Sequence, residues 1–263
     1  MRKAALLVNN EYDQVERPVR KSRGKAVNDV NAKPDSPYNK QKAANSSKLH
    51  MSLKDIKPLN EAQRQMMSAF DSGVTVTVGV GSAGTGKTII ACYLALRELL
   101  AGNIETIKII RSAVPTRSQG FLPGSLEEKS AIYELPYIDA FNDLLQCGTA
   151  YEQMTKKGLI SFCTSSYLRG LTFKDCVIVV DEIQNMDRGE VLTILSRCGI
   201  NCKMIFCGDT KQKDLKDSQS SYEYFMKLMK LLPKDVDITT FLTSDIVRSS
   251  FVRRLLIAEE NME

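Results

Sequence analysis

The sequence has 263 residues, 43% apolar and 25% charged, the balance of a globular protein with room for one sizeable domain and a tail. Its single histidine, His50, leaves no set for a catalytic triad or a histidine-based zinc site, and its seven cysteines include no C-x-x-C pair, so reduced core thiols are expected. No apolar run approaches the ~20 residues of a membrane span. The leader-like start Met1–Val8 stops at Asn9-Asn10, so a cytoplasmic protein is expected.

The net charge of +5 is uneven. Residues 1–50 carry 11 of the 36 Lys/Arg against 5 of the 31 Asp/Glu, and the rest of the chain is nearly balanced. Residues 1–52 are polar, basic and without a sustained hydrophobic period, which predicts a disordered basic tail. Such an arm is either a solvated leader or a source of nucleic-acid affinity through counterion release.

From Leu53 to the end, the pattern predicts one domain, 53–263. A short helix opens at Asn60 and runs to Phe70. The β-branched run Val74–Val78 is a strand, and Lys87–Leu100 is a helix stopped by Gly102. A second strand spans Ile107–Ile110. Ser125-Leu126-Glu127-Glu128 is a capping box that opens a long helical stretch, expected to break at Pro136. Short apolar runs at Leu159–Cys163, Val177–Val180, Met204–Cys207 and Ile238–Leu242 read as further strands. Helices are predicted over Arg188–Cys198 and Tyr222–Leu232, with a final amphipathic stretch over Ile246–Ala258. Alternating strands and helices predict an α/β fold with a parallel sheet covered by helices on both faces.

Gly81-Ser82-Ala83-Gly84-Thr85-Gly86-Lys87-Thr88 follows the first strand and opens a helix. This is the G-x-x-x-x-G-K-[ST] phosphate loop in the context that gives it meaning. Glycines let successive backbone N–H groups turn onto phosphates, and the helix adds its positive end. Lys87 is placed to reach the β- and γ-phosphates, and the Thr88 hydroxyl to ligate Mg²⁺.

Val177–Val180 runs into Asp181-Glu182. Ligands of open α/β sheets lie at the carboxyl ends of strands, which brings this pair towards the phosphate loop. Asp181 is the metal candidate, and Glu182 the residue that orients or deprotonates an attacking water. Met204–Cys207 leads into Gly208-Asp209-Thr210-Lys211-Gln212, polar residues placed to sense a γ-phosphate, with Gln212 a catalytic candidate. Thr210-Lys211 nearly opens the guanine-reading pattern [NT]-K-x-D, but Asp214 falls one position late, so ATP rather than GTP is expected. Arg111 and Ser112 after one strand, and Tyr167 with Arg169 before another, are candidates for gripping a single-stranded nucleic acid.

Together these residues resemble the PhoH-like family of ATPases, related to superfamily 1 helicases. The resemblance runs from about Ile56 to Ala258. It rests on Gln63, Gly81–Thr88, Ile110-Arg111-Ser112-Ala113-Val114, the block Gly120–Lys129, Arg169-Gly170-Leu171-Thr172, Asp181–Asn185, Gly208–Gln212 and Asp245–Arg248. The resemblance implies a single RecA-like domain without the nuclease domain of some relatives. It also implies that Gln63 reads the adenine edge, that Gln184 couples the γ-phosphate to the acidic strand end, and that Arg248 is an arginine finger. Because a single such domain lacks a helicase's second half, the finger would come in trans from a neighbour in a ring-like homo-oligomer, a hexamer. Relatives imply RNA as the polymer. The chain departs from the family at Ser249, where histidine is usual, and at Arg111-Ser112, where Arg-Pro is common.

The leading expectation is an oligomeric Mg²⁺-dependent ATPase acting on RNA or DNA. The competing one is a nucleotide-gated assembly protein with slow hydrolysis and no polymer. A small-molecule kinase fits poorly, since no lid of clustered arginines is evident.

Overall fold

The computed structural model describes residues 51–112, 126–165, 172–209 and 221–260. Residues 1–50 of the expected tail, Ala113-Val114, Gly120–Ser125 of the family block, Tyr167, Arg169-Gly170-Leu171 and the Thr210–Gln212 segment lie outside the described residues.

The elements in chain order are α1 (Glu61–Asp71), β1 (Val76–Gly81), α2 (Lys87–Leu100), β2 (Thr106–Arg111), α3 (Leu126–Leu144), α4 (Ala150–Lys156), β3 (Ile160–Thr164), β4 (Cys176–Asp181), α5 (Arg188–Leu195), β5 (Cys202–Gly208), α6 (Tyr222–Lys230), β6 (Val236–Phe241) and α7 (Ser250–Glu260). Single 3₁₀ turns at Ile183–Asn185 and Thr243–Asp245 follow β4 and β6.

The six strands pair in the order β3-β2-β4-β5-β1-β6, and every pairing is parallel. One strand, β5, separates the phosphate-loop strand β1 from the acidic strand β4. This is the RecA-like arrangement that the resemblance implies. All strands therefore present their carboxyl ends on one edge, where the loops meet.

Alternation along the strands divides the core. Ile107, Ile109, Val177, Val179, Ile205 and Cys207 face a layer built on α1, α2, α3 and α4. Val78, Val80, Ile178, Val180, Met204 and Phe206 face α5 and α6 through Val191, Ile194, Phe225 and Met229. Strands β1 and β4 are buried along their whole length, as expected for a parallel sheet sandwiched between helices. Met51, Leu53 and Ile56 already pack against the first layer. Asn60 caps α1 by accepting the Gln63 N–H at 2.8 Å.

Two expected boundaries are corrected. Pro136 does not break the helical stretch; it sits inside the continuous α3. Tyr137, Phe141 and Leu144 form a fully buried stripe on that helix, and this packing outweighs the lost hydrogen bond. Helix α5 ends at Leu195, not Cys198. Arg197 O accepts the Phe173 N–H at 2.8 Å, and Cys198 bridges to Phe173, so these residues join an extended pairing instead. The described cysteines are free thiols, with Cys92, Cys176, Cys202 and Cys207 buried, matching the expected core role.

Candidate active site

The phosphate loop hangs between β1 and α2 in a shape that only its glycines allow. Gly81 adopts φ 126°, and a Cβ there would lie 2.0 Å from the Phe241 carbonyl oxygen of β6. Gly84 adopts φ 70° and lets Arg248 approach, its Cγ 2.9 Å from where a Cβ would stand. Gly86 precedes α2 without a capping side chain, so the helix's first N–H groups are directed at whatever the loop holds.

Lys87 is buried, with its ammonium folded onto the loop. It donates to Gly81 O at 2.9 Å, Ser82 O at 2.7 Å and Thr85 Oγ1 at 3.3 Å. Burial lowers its pKa, and the nearby carboxylates of Asp209, Asp181 and Glu182 oppose that shift. An ammonium held by neutral oxygens beside a glycine cradle is suited to receive phosphate oxygens.

Opposite the loop, β4 delivers the acidic pair. Asp181 Oδ2 accepts from Thr88 Oγ1 at 3.0 Å and from the Tyr137 hydroxyl at 2.9 Å, while Oδ1 accepts the Glu182 N–H at 3.0 Å. Glu182 has left-handed backbone, φ 56°, which turns it off the strand line into the cleft. Arg111 Nη2 stands 3.7 Å from Glu182 Oε1, and Gln184 Nε2 donates to Oε2. Burial and the neighbouring Asp181 raise the Glu182 pKa; Arg111 counters them.

One cleft of about 800 Å³ gathers these groups. Its lining includes Ala83–Ile89, Arg111, Asp139, Asp181, Glu182, Asp209, Arg248, Val252 and Leu256. Among the described residues no group of three or more His, Cys, Asp or Glu could hold a metal. A site of one hydroxyl and one carboxylate suits Mg²⁺, which keeps waters and takes phosphate oxygens. Thr88 and Asp181 fit that requirement.

Residues 55–260 match the family described as PhoH-like protein. The chain belongs to the PhoH-like family. It is 34% identical over 209 residues to a PhoH-like protein of Bacillus subtilis (strain 168), covering 78% of this chain and 64% of that one. It is 30% identical over 214 residues to protein PhoH of Escherichia coli (strain K12), covering 78% and 59%. The chain thus spans about three fifths of the length of these relatives. Among solved structures, the large terminase of a thermophilic bacteriophage overlaps 76% of this chain and 50% of its own, at a TM-score of 0.47 and 15% identity.

The structure places several residues singled out by the PhoH-like resemblance among definite partners. The Gln63 amide is buried, accepting the Leu59 N–H at 2.8 Å and donating to Thr85 O at 2.9 Å. In this arrangement both ends of the amide brace backbone, and the residue supports the phosphate loop from behind. Gln184 is fully buried and spans from Glu182 to the Asp209 N–H, which its Oε1 accepts at 3.0 Å. It ties the acidic strand end to the end of β5.

The resemblance implies that Arg248 serves a neighbour, yet the chain sets it beside its own loop. The Val247 N–H donates to Gly84 O at 3.0 Å, pinning the finger segment there. Thr243 Oγ1 and Ser82 Oγ lie 3.2 Å apart, and the Ser82 N–H donates to Phe241 O at 3.0 Å. Arg111 faces Glu182 and lies over the Tyr133 ring at 5.5 Å. Ser112 is buried, and its hydroxyl has no hydrogen-bond partner among the described residues.

Asp209, expected in the γ-phosphate-sensing segment, lines the cleft, and Tyr137 beside Asp181 is a residue the sequence did not single out. Tyr137 continues into Phe141 and Leu144 at helical spacing, so it reads as core. Its hydroxyl is the only signal of another role. Burial and the charge of Asp181 push that phenol's pKa well up, which keeps it a donor.

Proposed function

We propose that this chain hydrolyses ATP with Mg²⁺ and couples turnover to RNA or another single-stranded nucleic acid. The observation that carries the reading is the 3.0 Å bond between Thr88 Oγ1 and Asp181 Oδ2. It joins the phosphate loop to the acidic strand end inside the cleft that Lys87 and Glu182 also line.

Lys87 would exchange its loop oxygens for the β- and γ-phosphates. Thr88 and Asp181 would hold Mg²⁺, which when bound neutralises charge on the phosphates. Glu182 would orient the attacking water or take its proton, and Gln184 would keep that carboxylate in register with the γ-phosphate. Gln212 belongs to the reading as a γ-phosphate sensor. Arg248, beside Gly84, would stabilise charge on its own chain's nucleotide. The basic excess in residues 1–50 supports a polyanionic partner.

One observation favours the second reading, a nucleotide-gated assembly. On α7, Val252 and Leu256 line the cleft while the adjacent Phe251 and Leu255 are 66% and 54% exposed. A helix with one apolar side on the nucleotide site and another on solvent could report nucleotide binding to a second copy, and so build the ring that the resemblance implies.

Steady-state ATPase activity, with and without single-stranded RNA and DNA at low and physiological salt, tests the choice, with Glu182→Gln as blank. Stimulation by one polymer supports the leading reading. A rate indifferent to both favours gated assembly. A Glu182→Gln rate equal to wild type removes the hydrolytic assignment.

A further inference from the structure

The metal-side carboxylate Asp181 is held by a residue from outside the phosphate loop and its own strand. Tyr137 lies on α3, its ring fully buried and tilted against Phe162 at 5.7 Å between centroids. Leucine or phenylalanine would fill such a core position without a polar atom to satisfy, and a buried hydroxyl is costly unless bonded. The Tyr137 hydroxyl ends 2.9 Å from Asp181 Oδ2.

An ionised carboxylate offers about four lone-pair sites. On Asp181 the hydroxyls of Tyr137 and Thr88 and the Glu182 N–H take three of them. Each donor comes from a different element, so the carboxylate plane is fixed and only one direction is left open. Without Tyr137, Oδ2 would be held by Thr88 alone, whose hydroxyl is itself a candidate ligand.

We propose that Tyr137 is a positioning residue for the divalent cation: it orients Asp181 so that metal binding needs no carboxylate rearrangement. This rests on the reading that Asp181 and Thr88 serve Mg²⁺. Groups that orient a metal's ligands typically change metal affinity by about 10–100-fold when removed. Pro136, Asp139 and Ala140 of the same helix also line the cleft.

The test is Tyr137→Phe, which keeps the ring and deletes one oxygen. Affinity for a fluorescent ATP analogue is measured in EDTA and across a Mg²⁺ titration, beside thermal melting and ATPase rates. The expected result is unchanged affinity in EDTA and a half-saturating Mg²⁺ concentration raised about 10-fold. ATPase activity should recover at high Mg²⁺. In an Asp181→Asn background, Tyr137→Phe should have no further effect on the Mg²⁺ response.

A purely structural tyrosine would lower the melting temperature and leave the Mg²⁺ response unmoved; that outcome overturns the proposal. A full additional shift in the Asp181→Asn background would overturn it too, because the effect would not pass through Asp181. Should wild type itself bind nucleotide with no response to Mg²⁺, the Mg²⁺ site falls together with Tyr137's role. A wild-type response shared unchanged by Tyr137→Phe removes only Tyr137.

Discussion

Arg111 and Glu182 face each other across neighbouring strands, with Arg111 Nη2 3.7 Å from Glu182 Oε1. The parallel register sets Arg111 opposite Asp181, so its guanidinium reaches the next residue along. Gln184 holds the other carboxylate oxygen. Arg111 stabilises charge on one of these oxygens and so weakens Glu182 as an acceptor of a water proton. A polymer phosphate that drew Arg111 away would release it. We expect Arg111→Ala to raise the polymer-free ATPase rate roughly 2- to 5-fold, the scale of a partly exposed ion pair of ~0.5–1 kcal/mol. Stimulation by single-stranded RNA should be lost. A lower basal rate would mean instead that Arg111 holds Glu182 in its working position.

Lys87→Ala should weaken ATP binding by roughly 10- to 100-fold, the worth of ~1.5–3 kcal/mol for hydrogen bonds to a charged group. Isothermal calorimetry measures it directly. The loop should keep its shape, because Gln63, Phe241 and Val247 brace it through Thr85, Ser82 and Gly84 independently of the lysine. Unaltered affinity would remove Lys87 from the phosphates.

Gly81→Ala should damage folding before it damages chemistry. The new Cβ would overlap the Phe241 carbonyl, and alanine is strained at φ 126°. A loss of roughly 2–4 kcal/mol follows from strain and forced movement of backbone. In a domain of this size that corresponds to a melting temperature lower by roughly 5–15 °C. A melt within a degree of wild type would show that β1 and β6 can part at this point without cost.

Arg248 yields to a mixing experiment. Arg248→Ala alone should lower turnover by about 10³-fold if the guanidinium stabilises charge as arginine fingers do. Because Val247 is bonded to Gly84 of the same chain, mixing Arg248→Ala with Glu182→Gln protein should restore nothing. Differently tagged copies that co-purify would establish that the mixture forms shared assemblies. Recovered activity in such a mixture would place the finger in trans.

The sequence carried what depends on neighbours along the chain. The phosphate loop, the strand running into Asp181-Glu182, the Asn60 cap and the start and end of α2 all follow from local periodicity and glycine placement. What it missed depends on contacts between distant segments. Pro136 reads as a helix breaker until the buried stripe of Tyr137, Phe141 and Leu144 is seen. The pairing of Arg111 with Glu182 is not visible because its partner follows a strand about 70 residues later in the chain. The contacts of Gln63 are hidden too, since only the fold puts Thr85 O and the Leu59 N–H at the two ends of its amide. Tyr137 is hidden by its own success as a core residue.

The pinning of Gly84 by Val247 and of Ser82 by Phe241 also sets an order of events during synthesis. The glycine-rich turn leaves the ribosome about 150 residues before the segment that shapes it. At ~5–20 residues per second, the nascent turn waits on the order of ten seconds or longer for its support. Until β6 docks, one flank of β1 has no neighbour and the turn has nothing to lean on. A nascent chain halted before Val236 would carry the whole glycine-lysine signature without the contacts that give it its shape.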